Sequence, residues 1–322
     1  MKVSRRPRER AILGQVSDLD LRLLRVFKAV VDCGGMAAAE LELNIGISTV
    51  SRHVKDLEAR LGLRLCRRGR GGFALTPEGE RIHREILQLL GAMETFRTSV
   101  DDIHYKMGGQ LELALFDKTA TNPEARIDAA IAAFAAVAPD VSMSVHVGSI
   151  NAIERGLLSG QYHVAVMPTH RSSRTLSYTD LFGERMLLYC GQQHPLFEAR
   201  ADRLTWAQIR KQRFAGLGYH SPNMELSHRE RLERAATGYD QEAIATLLLS
   251  GQYLGFLPDH YAHSFVQSGR LRALHPERFS YSCRFAGVIR RSPEPSRAVR
   301  AFVGCLVKAH APPRIHHMVD TG

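Results

Sequence analysis

Residues 46–79 read GISTVSRHVKDLEARLGLRLCRRGRGGFALTPEG. In residues 48–61, Val50, Val54, Leu57 and Leu61 fall on one helical stripe, while Thr49, Arg52, His53 and Lys55 take the opposite face. Upstream, the Ala-rich MAAAELEL of residues 36–43 predicts a short helix, and Asn44-Ile45-Gly46 supplies a turn. Before that, Leu21, Leu24, Phe27, Val30 and Val31 predict a helix over residues 21–33, ended by Gly34-Gly35. Two helices joined by a short turn containing Gly, the second polar and basic at its start, form a helix-turn-helix. Such a second helix enters the major groove with its first residues at base edges. Ser48, Thr49 and Ser51 have the donors and acceptors for that role, and Arg52 can reach a guanine edge or a phosphate. Residues 63–75 then read as two short alternating strands around a Gly- and Arg-rich turn, a hairpin wing. Arg67, Arg68 and Arg70 at its tip suit phosphate or minor-groove contact.

The rest of the composition agrees with a polyanionic partner without requiring one. The chain has 322 residues and a net charge of +10, with 44% hydrophobic and 24% charged residues, an ordinary globular balance. The excess positive charge is divided evenly at residue 107, so its functional part is local: five arginines and no acid in residues 59–77. The basic first ten residues read as a solvated extension. No apolar run is long enough to span a bilayer, and no signal-peptide pattern follows the basic start. Five scattered Cys without C-x-x-C fit a reducing compartment, so a cytoplasmic protein is expected, with no membrane partner.

After the wing, Thr76 can cap a helix that opens with Pro77, Glu78 and Glu80. Ile82, Ile86, Leu89, Met93, Phe96, Val100 and Ile103 follow at alternating steps of four and three. That is a coiled-coil seam, about 43 Å long, and it predicts a dimerising helix over residues 77–107; a helix packed on its own chain is the alternative. Gly108-Gly109 breaks it.

Beyond residue 109, strands alternate with helices. Strands are expected over 110–116, 141–147, 163–168, 176–181, 186–190, 213–217, 253–257 and 279–290. Helices are expected over 123–137, 151–159, 224–236, 241–250, 258–267 and 296–309. The opening βαβαβ order predicts a parallel sheet with right-handed crossovers.

Residues 20–79 resemble the winged helix-turn-helix of LysR-type transcriptional regulators. The matching features are the Ala-rich second helix, SRHVKDLEARLG at 51–62 and LTPEG at 75–79. Ile47 and Ser48 depart from that pattern, standing where the family often has Gln and Pro, so no Gln base contact transfers to Ile47. GQLELA at 109–114, HVAVMP at 163–168, LLYCGQQHPL at 187–196 and GFLP at 255–258 resemble, in order, the family's effector domain. The resemblance implies a multi-domain chain: an all-α winged helix-turn-helix N-terminal domain, a long coiled-coil linker helix, and a two-lobed α/β periplasmic-binding-protein-like C-terminal domain. The divisions expected are a basic extension over 1–17, the DNA-binding domain over 18–76, the linker helix over 77–107, the effector domain over 108–310 and a tail over 311–322. Lobe one would hold 109–168 and 295–310, and lobe two 169–292.

Ligands of open α/β sheets sit beyond the carboxyl ends of the strands. That rule points to Lys118, Thr119, Ala120 and Thr121 beside Asp117, to Thr169 and His170, and to Tyr219 and His220 from the other lobe. Thr119 and Thr121 before a helix opening at Pro123, with Lys118 alongside, suit a carboxylate. A pairing of Asp117 with Lys118 in solvent is the plainer alternative.

Catalytic and metal motifs are absent. There is no G-x-S-x-G, H-E-x-x-H, Walker A or G-x-G-x-x-G, and neither His260-x-x-His263 nor His316-His317 has an evident third ligand. The expected protein is thus a regulator rather than an enzyme, with no cofactor. Its partners would be double-stranded promoter DNA, a small metabolite, and its own copies as a dimer or a dimer of dimers. A solute-binding or enzymatic clamshell fused to a DNA-binding head is the alternative.

Overall fold

The computed structural model describes residues 14–69, 72–103, 107–169, 172–200 and 203–311, and the chain divides into units of residues 1–94 and 95–322. The first unit opens with α1 (Asp18–Asp32), α2 (Met36–Leu43) and α3 (Ile47–Leu61). A capping box starts α1 three residues ahead of the apolar pattern: the Ser17 N–H donates to Asp20 Oδ2 at 2.8 Å and the Asp20 N–H to Ser17 Oγ at 3.4 Å. Asn44, at φ +50, turns the chain out of α2. Gly46 has no side chain to cap α3, so Glu40 of α2 does it, accepting the Ile47 N–H at 3.1 Å. Leu23, Phe27, Val30, Val50, Val54 and Leu57 are buried between the helices.

The wing pairs β1 (Cys66–Gly69) antiparallel with β2 (Gly72–Leu75). Its first strand begins later than the sequence pattern suggests, because Glu58 Oε1 takes the Leu65 N–H at 2.7 Å and the Cys66 N–H at 3.2 Å and holds the chain against α3. Thr76 caps α4 (Pro77–Ile103), its Oγ1 accepting the Gly79 N–H at 2.9 Å. Gly79 is required there: a Cβ would lie 1.9 Å from the Leu65 carbonyl oxygen.

In the second unit, β3 (Gly109–Phe116), α5 (Ile127–Val137), β4 (Val141–Gly148), α6 (Ile150–Ser159) and β5 (Val164–Pro168) form the expected βαβαβ unit, with β3 parallel to both β4 and β5. β6 (Leu176–Gly191) follows, then α7 (Trp206–Ile209), β7 (Phe214–Leu217), α8 (Pro222–Arg229), β8 (Arg234–Gly238), α9 (Gln241–Leu249), β9 (Leu254–Pro258), α10 (Asp259–Gln267), β10 (Leu271–Ala273), β11 (Ser280–Arg290) and α11 (Arg297–His310). Among the described residues the sheet order is β4-β3-β5-β11-β6-β9-β7-β8, with β10 added to β6. The long antiparallel pair β6–β11 carries the sheet from one parallel set to the other.

Four sequence expectations change here. The helix expected from Pro123 opens at Ile127, because Asn122 folds the intervening residues into a turn: its Oδ1 accepts the Glu124 N–H at 2.9 Å and its carbonyl the Ala125 N–H at 3.1 Å. The strands expected over 176–181 and 186–190 are one, since pairing with β11 continues through polar Glu184 and Arg185. The helix expected over 224–236 stops at Arg229, where Arg231 takes φ +52, and Arg234–Gly238 pairs with β7 as a strand. The lobe crossings expected near 168–170 and 292–295 move inside β6 and β11, because residues 176–180 pair with 286–290, the stretch that lies beside β5.

Candidate functional site

The head presents the start of α3 and the wing. Ser48, Arg52 and Lys55 are exposed, and Thr49 and Ser51 half-buried. His53 is withdrawn from that set: both ring nitrogens are buried without a hydrogen-bond partner, so neither is open to an incoming base edge. Arg67 is exposed; the side chain of Arg68, and Arg70 altogether, lie outside the described residues. Arg60, one of the five arginines of the basic run, serves the fold instead. Its guanidinium holds the buried Asp20 carboxylate, with Nη2 3.0 Å from Oδ2. Ser17 and then Arg60 hold Asp20 at about 2, below the usual carboxylate range. Arg64, also exposed, lines with Arg67, Thr76 and Glu78 an open 680 Å³ recess between α3 and α4.

In the second unit, the carboxyl ends of the parallel strands meet. The Gln241 N–H, at the start of α9, donates to Asp117 Oδ2 at 2.7 Å. Asp117 is buried, and burial, with the charges of Asp240 and Glu184, pushes its carboxyl up to about 6. Lys118, at φ +61, hydrogen-bonds Glu242 and lies 4.7 Å over the Tyr261 ring, whose hydroxyl also donates to Glu242 at 2.9 Å. Thr121 Oγ1 lies 2.8 Å from His260 Nδ1, and His260 Nε2 lies 2.9 Å from Glu184 Oε1. Glu184 is buried, which raises its pKa against the pull of His260. A 320 Å³ cavity opens beside these groups, lined by Asp117, Lys118, Tyr239, Asp240, Glu242 and the Val147–Gly148–Ser149 turn. A second, of 510 Å³, lies by Glu184, Asp259, His260 and His263.

Residues 21–80 match the family model described as bacterial regulatory helix-turn-helix protein, lysR family, and residues 107–311 match LysR substrate binding domain. The chain belongs to the LysR family. It is 39% identical over 291 residues, 90% of this chain and 95% of the other, to the HTH-type transcriptional activator BauR of Pseudomonas aeruginosa. It is 27% identical to the probable HTH-type transcriptional regulator LrrA of Synechococcus elongatus, over 74% of this chain and 81% of that one. The LysR family regulator CbnR shares the fold at a TM-score of 0.59 and 19% identity, covering 91% of this chain and 99% of that one. The chain is therefore a LysR-type transcriptional regulator with an effector-binding domain; its relatives are named as regulators and not as enzymes.

Within this LysR-type frame, the expected effector residues divide. Lys118 lines the smaller cavity, and Thr121 reaches His260. The Thr119 hydroxyl turns back to the Phe116 carbonyl at 3.3 Å, Ala120 is exposed, and the Thr169 N–H donates to the Arg284 carbonyl at 2.8 Å. Tyr219 is buried beside Asp117, His220 is exposed with Nε2 3.8 Å from Glu225, and His170 lies outside the described residues. Tyr239, Asp240 and Glu242 escape a sequence reading because β8, whose end places them, has the composition of a helix. The Gly148–Ser149 turn, at the end of β4, is within reach of the strand-end rule. On α4, Ile86 is buried and Ile82 packs in the head core, because α4 starts against Leu65; Leu89, Phe96 and Val100 are exposed, Met93 is half-buried, and the Ile103 side chain lies outside the described residues.

Proposed function

We propose that this regulator works in the cytoplasm as a dimer, and as a dimer of dimers, that places paired heads on promoter DNA under control of a small metabolite held between its lobes. The observation that carries the reading is the start of α3: an exposed Ser48, Arg52 and Lys55 set next to a wing edged by Arg64 and Arg67. Ser48, Thr49 and Ser51 then read base edges, and the arginines hold phosphates. Leu89, Phe96 and Val100 at 37%, 73% and 38% exposure supply the apolar seam. The metabolite lies in the cavity where Asp117 and Gln241 join the two strand sets. Control requires that it bind one arrangement of the lobes better than the other. A carboxylate on it keeps one support, the start of α6 at the Gly148–Ser149 turn, where Ser149 makes no side-chain cap. It loses two others, since Lys118 is held by Glu242 and the expected helix at Pro123 opens at Ile127.

A gel-shift salt series on DNA upstream of the chain's own gene tests the head. Arg67→Ala with Arg68→Ala weakens binding to all sequences and reduces the log–log salt slope by about 2, near 0.9 for each phosphate no longer held. An unchanged slope sinks the wing assignment, and no shift of any duplex sinks the DNA-binding reading.

A further inference from the structure

Beyond residue 107 the chain carries 24 Lys and Arg against 19 Asp and Glu. The smaller cavity takes none of that surplus, since Asp117, Asp240 and Glu242 outnumber Lys118 there. Most of it gathers at the other end of the second parallel set. The carboxyl end of β8 leads into Tyr239 and Asp240 of the cavity, so the amino ends of β7 and β8 form the rim of lobe two away from it. Two crossovers return to that rim: residues 210–213 run from α7 into β7, and residues 230–233 run from α8 into β8. Phe214 pairs with both Arg234 and Leu254, and Arg210 Nε donates to the Glu230 carbonyl at 2.7 Å, so the two segments lie side by side. With the last residue of α8 they bring Arg210, Lys211, Arg213, Arg229 and Arg231, all exposed, against Glu230 and Glu233. Arg210 and Arg229 share Glu230, at 3.7 Å and 3.3 Å, while Arg213 lies 4.7 Å over the Tyr253 ring just before β9. Lys211 and Arg231 have no side-chain partner among the described residues. Exposed Arg270 extends the rim, its carbonyl accepting the Gln192 N–H at 3.1 Å just past the carboxyl end of β6, which runs antiparallel to β9.

We infer that this rim of lobe two is a second DNA-contacting surface, which takes the phosphate backbone of a duplex. Its cations are mostly arginines, whose planar fork matches phosphate oxygens. They follow a line of strand ends in the order β8, β7, β9 and β6, about 14 Å long at about 4.8 Å per strand. A line of that length suits a polyanion better than one small anion. No large apolar side chain is exposed between residues 205 and 238, whereas a protein partner needs an apolar or aromatic anchor at the centre of its contact. A phosphate backbone needs only spaced positive charge. Such a contact reads no base and adds affinity to whatever sequence the heads select. The inference rests on the reading of the chain as a DNA-binding regulator and gives its sensor domain a share in holding the DNA.

Fluorescence-anisotropy titrations of the full-length protein over a salt series test it, on the promoter duplex and on a duplex of scrambled sequence. Lys211→Gln, Arg229→Gln and Arg231→Asn together remove three exposed positive charges and no buried group; Asn tolerates the φ of +52 at position 231. The triple variant binds both duplexes several-fold more weakly, and its log–log salt slope is smaller by about 2. Its preference for promoter over scrambled DNA is that of the parent, because the heads are untouched, and so are its melting midpoint and dimer mass. Lys211→Gln alone lowers the slope by about 0.9 and carries the test if the triple variant melts early. An unchanged slope overturns the inference; if polyglutamate then binds the parent and not the variant, the rim belongs to an acidic protein instead. A dimer lost in the variant assigns the rim to a second copy and overturns it too. Failure of the regulator reading is separate: the parent then binds neither duplex, which overturns both.

Discussion

Asp20 shows how much of the head depends on one carboxylate. It closes the Ser17 capping box and also receives Arg60 from α3, so it joins two helices of the DNA-binding unit. Its folded pKa of about 2 lies below the ordinary 3.8. A depressed carboxylate stabilises the fold fully above its unfolded value, and that contribution is lost as pH falls toward the folded value. Asp20→Asn therefore lowers the head's unfolding midpoint at pH 7, and the gap to the parent closes between about pH 4 and pH 2 in thermal melts. The residue scale is also where spacing alone misleads about roles. Arg60 and His53 stand at positions that a helical projection leaves on the DNA side. Yet one is taken by an acid forty residues away and the other has its ring nitrogens covered. Neither fact is written in local spacing.

Among the elements, α4 carries two jobs along one stripe. Its first apolar residues, Ile82 and Ile86, complete the head core, while Leu89, Phe96 and Val100 remain exposed. The heptad pattern is legible because it is periodic; the change of partner along it is not, because it depends on where Leu65, just before β1, meets Gly79. Phe96, at 73% exposure, is the largest apolar group left on the stripe. Phe96→Ala raises the dimer dissociation constant tenfold or more in analytical ultracentrifugation, about 1.4 kcal/mol. An unchanged constant moves the dimer interface elsewhere. The opposite lesson comes from β8: residues 230–236 read ERLERAA, helix formers throughout, and pairing with β7 makes a strand of Arg234–Gly238.

At the scale of the effector domain, the two parallel strand sets are tied by Asp117 to Gln241, Lys118 to Glu242 and Thr121 to His260. The Lys118 pair is partly exposed and contributes little. The His260 side chain is 7% exposed, and its Nδ1 lies 2.8 Å from the hydroxyl of the exposed Thr121. Thr121→Val removes that hydrogen bond and costs about 0.5–1.5 kcal/mol of domain stability. Trp206, the chain's single tryptophan, packs edge-on against Phe279 in this unit, and its fluorescence in a denaturant titration reads the loss. A change under about 0.5 kcal/mol would show that the hydrogen bond is dispensable.

Sequence by itself determined the elements whose reason for existing is local. These are the three head helices, the Arg- and Gly-edged wing, the heptad stripe, and the βαβαβ alternation, because a helical or strand period is complete within one segment. Tertiary structure alone decided what distant segments do to one another: the unbroken β6, the strand β8, the head's claim on Ile86, and the meeting of Asp117 with Tyr219, Gln241 and Glu184. Each of those is settled by hydrogen bonds and burial between segments far apart in the chain, and a propensity read along one segment carries no information about them.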